Sequence, residues 1–393
     1  MENKVKVGII GIGNMGSGHA ANIKNGCCPE IELAAVADLN PERLSWAKEN
    51  LPETVARLDN AYDMLDSGLL DACIVAVPHY DHPTFVRACL DRGIHPLSEK
   101  PAGVYTKQVR EMNEAAAKHP ELKFAMMFNQ RTNPLYIEMR RLVQSGKYGR
   151  IRRVNWLITN WYRSQNYYDS GDWRATWSGE GGGVLMNQCP HQLDLLQWIC
   201  GMPVKIDCHA HFGKWHDIEV EDDISAYMEF PDGGTGLFIA STGDGCGSNR
   251  FEIQMDGAKL LCENDRLYLW EFETPEPVFS TLSTTKPFDS IKTVQKEIEV
   301  TPSPLPQHAI VLNAWASAIL HGTPLIADGS EGINGLTLDN AMRLSAFTRQ
   351  EITLPLDEEA YYQELMKHVA VSRRKTVTAA VFADTAGSYG GTK

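Results

Sequence analysis

Between residues 5 and 127, short apolar runs alternate with stretches whose apolar residues recur at helical spacing. The runs predict strands at Val5–Ile10, Leu33–Ala37, Ala72–Val77, His95–Leu97 and Lys123–Met127. The stretches between them predict helices at Gly16–Asn25, Pro41–Leu51, Ala61–Asp66, Pro83–Arg92 and Thr106–Lys118. Repeated β-α-β order of this kind predicts a parallel, doubly wound α/β sheet, with any ligand outside the carboxyl ends of its strands. After Gly149 the texture turns to longer strand-like segments: Ile151–Trp161, Val204–Phe212, Ile224–Phe230, Gly234–Thr242, Arg250–Met255 and Lys259–Glu263. Turn signals such as Pro231-Asp232-Gly233-Gly234 and Asp256-Gly257 separate neighbours, which favours antiparallel hairpins. One helix, Cys189–Cys200, interrupts them after Gly181-Gly182-Gly183, and helical patterns return at Gln307–Leu320 and Gly335–Arg349. The expected organisation is a domain over residues 1–126, an α+β domain with a large, mixed, mostly antiparallel open sheet over 127–360, and a C-terminal extension over 361–393 whose end, Thr385–Lys393, is expected to fray.

The first strand runs directly into Gly11-Ile12-Gly13-Asn14-Met15-Gly16, and Asp38 closes the second strand twenty-two residues after Gly16. Gly11 permits a tight strand-to-helix turn, Gly13 lets backbone approach a pyrophosphate, and Gly16 allows helix and strand to pack closely. The helix start offers N–H groups and the positive end of its dipole to phosphates. Asp38 would accept hydrogen bonds from an adenosine ribose, and its charge disfavours a 2′-phosphate, so the cofactor expected is NAD. A lone glycine motif is weak evidence; strand, helix and acid in register make a stronger joint signal.

A net charge of −13 argues against nucleic acid or an anionic membrane as partner, since phosphate binding needs clustered Lys and Arg. No apolar run is long enough to span a bilayer and no leader pattern stands at the start, so a soluble, cytoplasmic protein is expected. The nine cysteines form no CxxC pair and are expected as free, mostly buried thiols. Cys208, His209 and His211, with His216 beyond, offer metal-ligand chemistry, but strand alternation sends Cys208 and the two histidines to opposite faces; no metal is expected.

Two groups suit redox chemistry on an alcohol. Lys100, in Ser98-Glu99-Lys100-Pro101, follows a predicted strand and so sits at the sheet's carboxyl edge, where an amine can donate to a hydroxyl or carbonyl oxygen. Glu99 can pair with that amine and Pro101 restrains it. His191 has the intrinsic pKa to take a hydroxyl proton, and Asn187, four residues earlier, shares its face if the helix has already begun. A loop lysine is commonly solvated and a helix-start histidine commonly structural; their combination is what speaks for function.

These residues also carry a resemblance. The glycine motif, Val77-Pro78-His79-Tyr80-Asp81-His82, Glu99-Lys100-Pro101 and the helix opening that ends in His191 resemble the Gfo/Idh/MocA oxidoreductases from Val5 to about residue 355. The resemblance implies a Rossmann domain followed by a mixed-sheet domain whose open face makes homo-oligomers, with substrate held between cofactor and second domain. It implies that Lys100 and His191 flank the oxidised carbinol, with Asn187 orienting the pair. Many members have an aspartate four residues before the histidine; here it is Asn187, and an amide cannot accept a proton, which makes His191 the base. On the cofactor side it implies Gly11, Gly13, Asn14, Met15, Asp38, Pro78, His79, His82, Glu99, Lys100, Gln130, Trp173 and Arg174. On the substrate side it implies Tyr162, Tyr167, Tyr168, Asp169 and His216 besides Lys100, Asn187 and His191.

The run from Asn160-Trp161-Tyr162-Arg163 through Trp173-Arg174 to Asn187-Gln188 is similar to a branch that includes glycoside 3-dehydrogenases, which work ahead of a partner lyase. The leading expectation is therefore NAD-dependent oxidation of a secondary hydroxyl, at C3, of a sugar or glycoside. Two alternatives stay open: a redox-neutral, NAD-dependent glycosidase that oxidises, eliminates, hydrates and re-reduces, and a nucleotide-binding regulator without catalysis.

Overall fold

The computed structural model of the protein describes residues 4–282, 284–373 and 375; the Thr385–Lys393 end lies outside them. Six parallel strands, β1 (Val5–Ile10), β2 (Ile31–Ala37), β3 (Ala56–Leu58), β4 (Ala72–Val75), β5 (His95–Ser98) and β6 (Ala125–Met126), form the first sheet in the order β3-β2-β1-β4-β5-β6. The strand order reverses between β1 and β4, so a crevice opens at the carboxyl ends of those two strands. Continuous burial of Val7, Ile9, Ile74 and Val75 fits strands covered on both faces. β3 escapes the sequence pattern because three residues carry no readable period. β4 ends at Val75 rather than Val77.

The second sheet has nine strands: β7 (Ile151–Ile158), β8 (Lys205–Phe212), β9 (Glu221–Glu229), β10 (Thr235–Ser241), β11 (Asn249–Met255), β12 (Ala258–Glu263), β13 (Arg266–Phe272), β14 (Thr293–Ile298) and β15 (Ile352–Thr353). Their order is β14-β13-β12-β11-β7-β10-β9-β8-β15, antiparallel throughout except for β7 beside β10. Alternation decides the faces. Val154, Trp156 and Ile158 point inward with Phe251, Ile253 and Met255, and the Trp156 and Phe251 rings stack with centroids 4.0 Å apart. The same alternation buries Cys208 and exposes His209 and His211. Among the described residues no group of three or more His, Cys, Asp or Glu could hold a metal, and no helix is long and apolar enough to cross a membrane.

Helices Pro190–Cys200 and Gly332–Thr348 cover the sheet's inner face, and a Cβ at Gly335 would sit 3.1 Å from the Asp194 nitrogen, so the two helices touch nearly backbone to backbone. Helix Pro134–Gln144, absent from the pattern reading, is started by the Asn133 side chain accepting from the Leu135 N–H, with Pro134 at its first position. Helix Gln307–His321 packs Ala309, Val311, Leu312 and Trp315 into one apolar cluster with Val5, Val7 and Ile9 of β1, so the first sheet's core draws on residues far beyond position 126.

Candidate functional site

A cleft of about 1780 Å³ runs from the glycine motif to the edge of the second sheet. Pockets for single drug-sized ligands measure roughly 300–1,000 Å³, so this cleft has room for a dinucleotide and a second molecule together. At its first end Gly11 holds φ +83°, and a Cβ there would lie 2.5 Å from the Ala76 carbonyl oxygen. A Cβ at Gly16 would run into the carbonyl of Gly11. Gly13 has nothing within 4 Å of its Cβ position and caps the helix Asn14–Lys24, so the space a side chain would fill stays open beside the helix start. Asp38 accepts from the Ile12 N–H at 2.8 Å and from the Asn40 N–H at 2.8 Å, which aims its carboxylate at the cleft it lines. Arg43 donates to the Ile12 carbonyl at 2.6 Å, fastening the glycine turn from behind. This cradle, anion-compatible at the helix start and acidic at the ribose position, fits NAD.

At the carboxyl end of β5, Lys100 Nζ donates to the Asn187 carbonyl at 3.0 Å. Glu99 is buried, accepts from the Lys100 N–H at 3.1 Å and lies 2.7 Å from His19 Nε2. Burial pushes the Glu99 carboxyl up, but His19 above all, then His308 and Lys100, bring it down to about 2. Lys100 is held below its ordinary value by burial, against the pull of Glu99 and Glu180. His191, buried and edge-on to Phe128, is held well below the usual imidazole value by burial and then by Lys100. His191 is therefore a neutral imidazole at neutral pH, in the cleft wall that it shares with Lys100.

Asn187 and His191 do not share an α-helix. Asn187 belongs to a π-helical turn, Val184–Gln188, and the α-helix begins only at Pro190. Cys189, between the two turns, takes the bridge conformation φ −101°, ψ 9° and caps the α-helix that Pro190 opens. Asn187 meets Lys100 through its backbone carbonyl; its side-chain amide donates to Glu180.

Of the residues expected at the site, the cleft is lined by Gly11, Gly13, Asn14, Met15, Asp38, Pro78, His79, His82, Glu99, Lys100, Tyr162, Tyr167, Trp173, Arg174, Asn187 and His191. Arg174 donates to the Tyr167 hydroxyl at 3.1 Å, and Trp173 meets the His79 ring edge-on at 5.8 Å. Gln130, Tyr168, Asp169 and His216 stand outside the lining. Gln130 donates to Gln307 at 2.8 Å, and Tyr168 is buried with its hydroxyl on Thr242 at 2.8 Å. His216 is fastened between Asp222 at 3.0 Å and the Arg163 carbonyl at 2.8 Å, while Asp169 is occupied by Gln165 at 3.1 Å. Pattern reading overlooked Arg43, Gln188 and Glu180. For Glu180 a signal existed: an acid inside Gly179-Glu180-Gly181-Gly182-Gly183, a tract too lean in side chains to solvate a charge.

A family model described as "Oxidoreductase family, NAD-binding Rossmann fold" matches residues 5–126 of the chain, and one described as "GFO/IDH/MocA C-terminal domain" matches residues 136–260. Inositol 2-dehydrogenase of Corynebacterium glutamicum is 26% identical over 204 residues, 52% of this chain and 56% of that protein. The rhizopine catabolism protein MocA of Rhizobium meliloti is 25% identical over 199 residues, 50% of this chain and 58% of that one. The chain thus spans about half the length of the curated relatives it matches. Among solved structures, the WlbA dehydrogenase of Chromobacterium violaceum, in complex with NADH and UDP-GlcNAcA, superposes with a TM-score of 0.77 at 25% identity, covering 91% of this chain and 98% of that one.

Proposed function

Since the chain belongs to the Gfo/Idh/MocA oxidoreductases and carries their NAD-binding Rossmann domain, we propose that it oxidises a secondary hydroxyl of a sugar or glycoside, at C3, to the ketone. The observation that carries this reading is the shared wall of Lys100 and His191 in the cleft that begins at the glycine cradle. Relatives named for inositol and for a nucleotide sugar support a polyhydroxylated substrate. So does the wall beyond Lys100, where Trp161 and Tyr162 offer apolar faces and Asn160, Arg163 and Gln188 offer polar groups.

In this mechanism the neutral His191 imidazole takes the hydroxyl proton as the C=O bond forms. The Lys100 ammonium, steered by the Asn187 carbonyl, donates to the oxygen on which negative charge develops. Glu99 anchors the Lys100 backbone and, paired with His19, stays ionised beside it. NAD, held by the turn at Gly11 and Gly13 and by Asp38, would supply the acceptor for the hydride from the same carbon. A ketone at C3 acidifies the neighbouring C–H, so the product suits a partner lyase that cleaves the glycoside by elimination. We assign the half-open outer face around Tyr227 and Leu237 to self-association.

The test is a mass-spectrometric product screen with NAD against inositols, free hexoses, and O- and C-glucosides. A product two mass units lighter is expected. Aglycone release without a lighter sugar would replace this reading by the redox-neutral glycosidase, and silence across the panel by a nucleotide-binding regulator.

Asp38 sets a second expectation. Its carboxylate is pinned in place by two N–H groups, and a 2′-phosphate would meet that charge head-on. Fluorescence titration should give NAD a dissociation constant at least about tenfold lower than NADP, equivalent to about 1.4 kcal/mol. Tighter NADP binding would remove Asp38 from cofactor selection.

A further inference from the structure

We propose that Glu180 is a positioning residue, which turns the Asn187 carboxamide so that its oxygen faces the cleft and receives a substrate hydroxyl. The proposal rests on the dehydrogenase reading above. Glu180 is 2% exposed. One of its oxygens accepts from the Ala175 N–H at 2.6 Å, and the other accepts from Asn187 Nδ2 and lies 3.9 Å from Arg174. Its backbone carbonyl lies 3.0 Å from His79 Nδ1. Burial holds the Glu180 carboxyl above its ordinary value, with Arg174, the Ala175 N–H, the Asn187 amide and Lys100 offsetting part of that rise.

Both Glu180 oxygens are taken up as acceptors, one by the Ala175 N–H and the other by Asn187 Nδ2, so the NH₂ group points at Glu180 and Oδ1 points away from it. Because Asn187 lines the cleft, that oxygen is the end left for a ligand. Residue 187 then supplies two acceptors, its backbone carbonyl for Lys100 and its side-chain oxygen for a hydroxyl beside the reacting one. The arrangement also explains why an amide suits position 187. An aspartate there would set two carboxylates against each other in a buried site, where one must take up a proton. The acid sits behind the contact residue, and a neutral acceptor meets the substrate.

The test is a cycle of Glu180→Gln, Asn187→Asp and the double variant. In Glu180→Gln the Ala175 N–H keeps the new amide's oxygen, so its NH₂ faces Asn187 and turns that residue around, presenting a donor where the substrate needs an acceptor. KM should rise about tenfold or more, the scale of one exchanged hydrogen bond, with kcat changed less and the melting temperature unchanged. Asn187→Asp alone should lose at least about tenfold in kcat/KM and melt lower. In the double variant the amide introduced at position 180 donates its NH₂ to the carboxylate introduced at position 187, and both kcat/KM and melting temperature should recover to near the wild type. An unchanged KM in Glu180→Gln, or a double variant no better than Asn187→Asp, would overturn the proposal. Were the wild type to oxidise no sugar, the dehydrogenase reading would fail by itself. The melting temperatures would still report the pair: recovery in the double variant upholds the hold of Glu180 on residue 187, and no recovery overturns it.

Discussion

His191→Ala should lower kcat by about a hundredfold or more, the usual worth of a positioned general base, while NADH binding measured by fluorescence stays within about twofold. The pH profile sharpens the expectation. A base must be neutral to act, and burial with the Lys100 charge holds His191 well below the usual imidazole value of 6.5. The acid limb of kcat/KM in the wild type should therefore lie below pH 6.5, with activity lost as pH falls through the His191 pKa. In the proposed mechanism Lys100 acts as the ammonium, and burial holds it below 10.5, so the alkaline limb should lie below pH 10.5, with activity lost as pH rises. In His191→Ala the acid limb should vanish while the alkaline limb remains. An unaltered kcat, or an acid limb that survives the substitution, would take His191 out of the proton transfer.

The second large effect is on stability. Arg131, its side chain 1% exposed, grips Asp194 with two donors at 2.8 and 2.7 Å, and donates to Glu331 at 2.7 Å. Its guanidinium lies 5.3 Å from the ring centroids of both Phe128 and Trp198. Asp194 is itself buried, and burial pushes its carboxyl up in spite of Arg131. Arg131→Ala would leave that carboxylate with Gln197, 3.0 Å away, and open a void between two aromatic rings. Breaking such a pair from one side costs about 3–5 kcal/mol, to be read from urea unfolding. A loss under about 1 kcal/mol would mean that Asp194 is neutralised at little cost. Asp194 lies one turn after His191 on the same helix, and Arg131 follows β6, so the pair ties the wall that carries His191 to the sheet that carries the cofactor cradle. Turnover should fall along with stability.

Much of this site is legible in residue order. The turn from β1 into its helix, Asp38 after β2 and Lys100 after β5 are positions defined by neighbours in the chain: a strand, a turn residue, a helix start. Local chemistry suffices for them, and the structure lines the cleft with all three. The hairpins at Pro231–Gly234 and Asp256-Gly257 are legible for the same reason. Legibility fails where the partner is distant or the geometry irregular. The four-residue spacing of Asn187 and His191 suggests one helical face, and Pro190 breaks that face. Tyr168 and His216 carry the right chemistry for a sugar site, yet Thr242, Asp222 and the Arg163 carbonyl claim them.

What residue order alone determined is the set of groups bound to short-range rules: the alternating elements, the dinucleotide cradle, an amine at a strand's end, and a net charge that repels phosphate backbones. Tertiary structure alone decided which of the polar residues after Gly149 face the cleft. It also set a buried acid against Asn187 and brought Gln307–His321 into the core of the first sheet. The physical reason is range. Turns, caps and periodicity act over a few residues, whereas burial, pKa displacement and the pairing of Arg131 with Asp194, sixty-three residues apart, exist only once the chain has closed on itself.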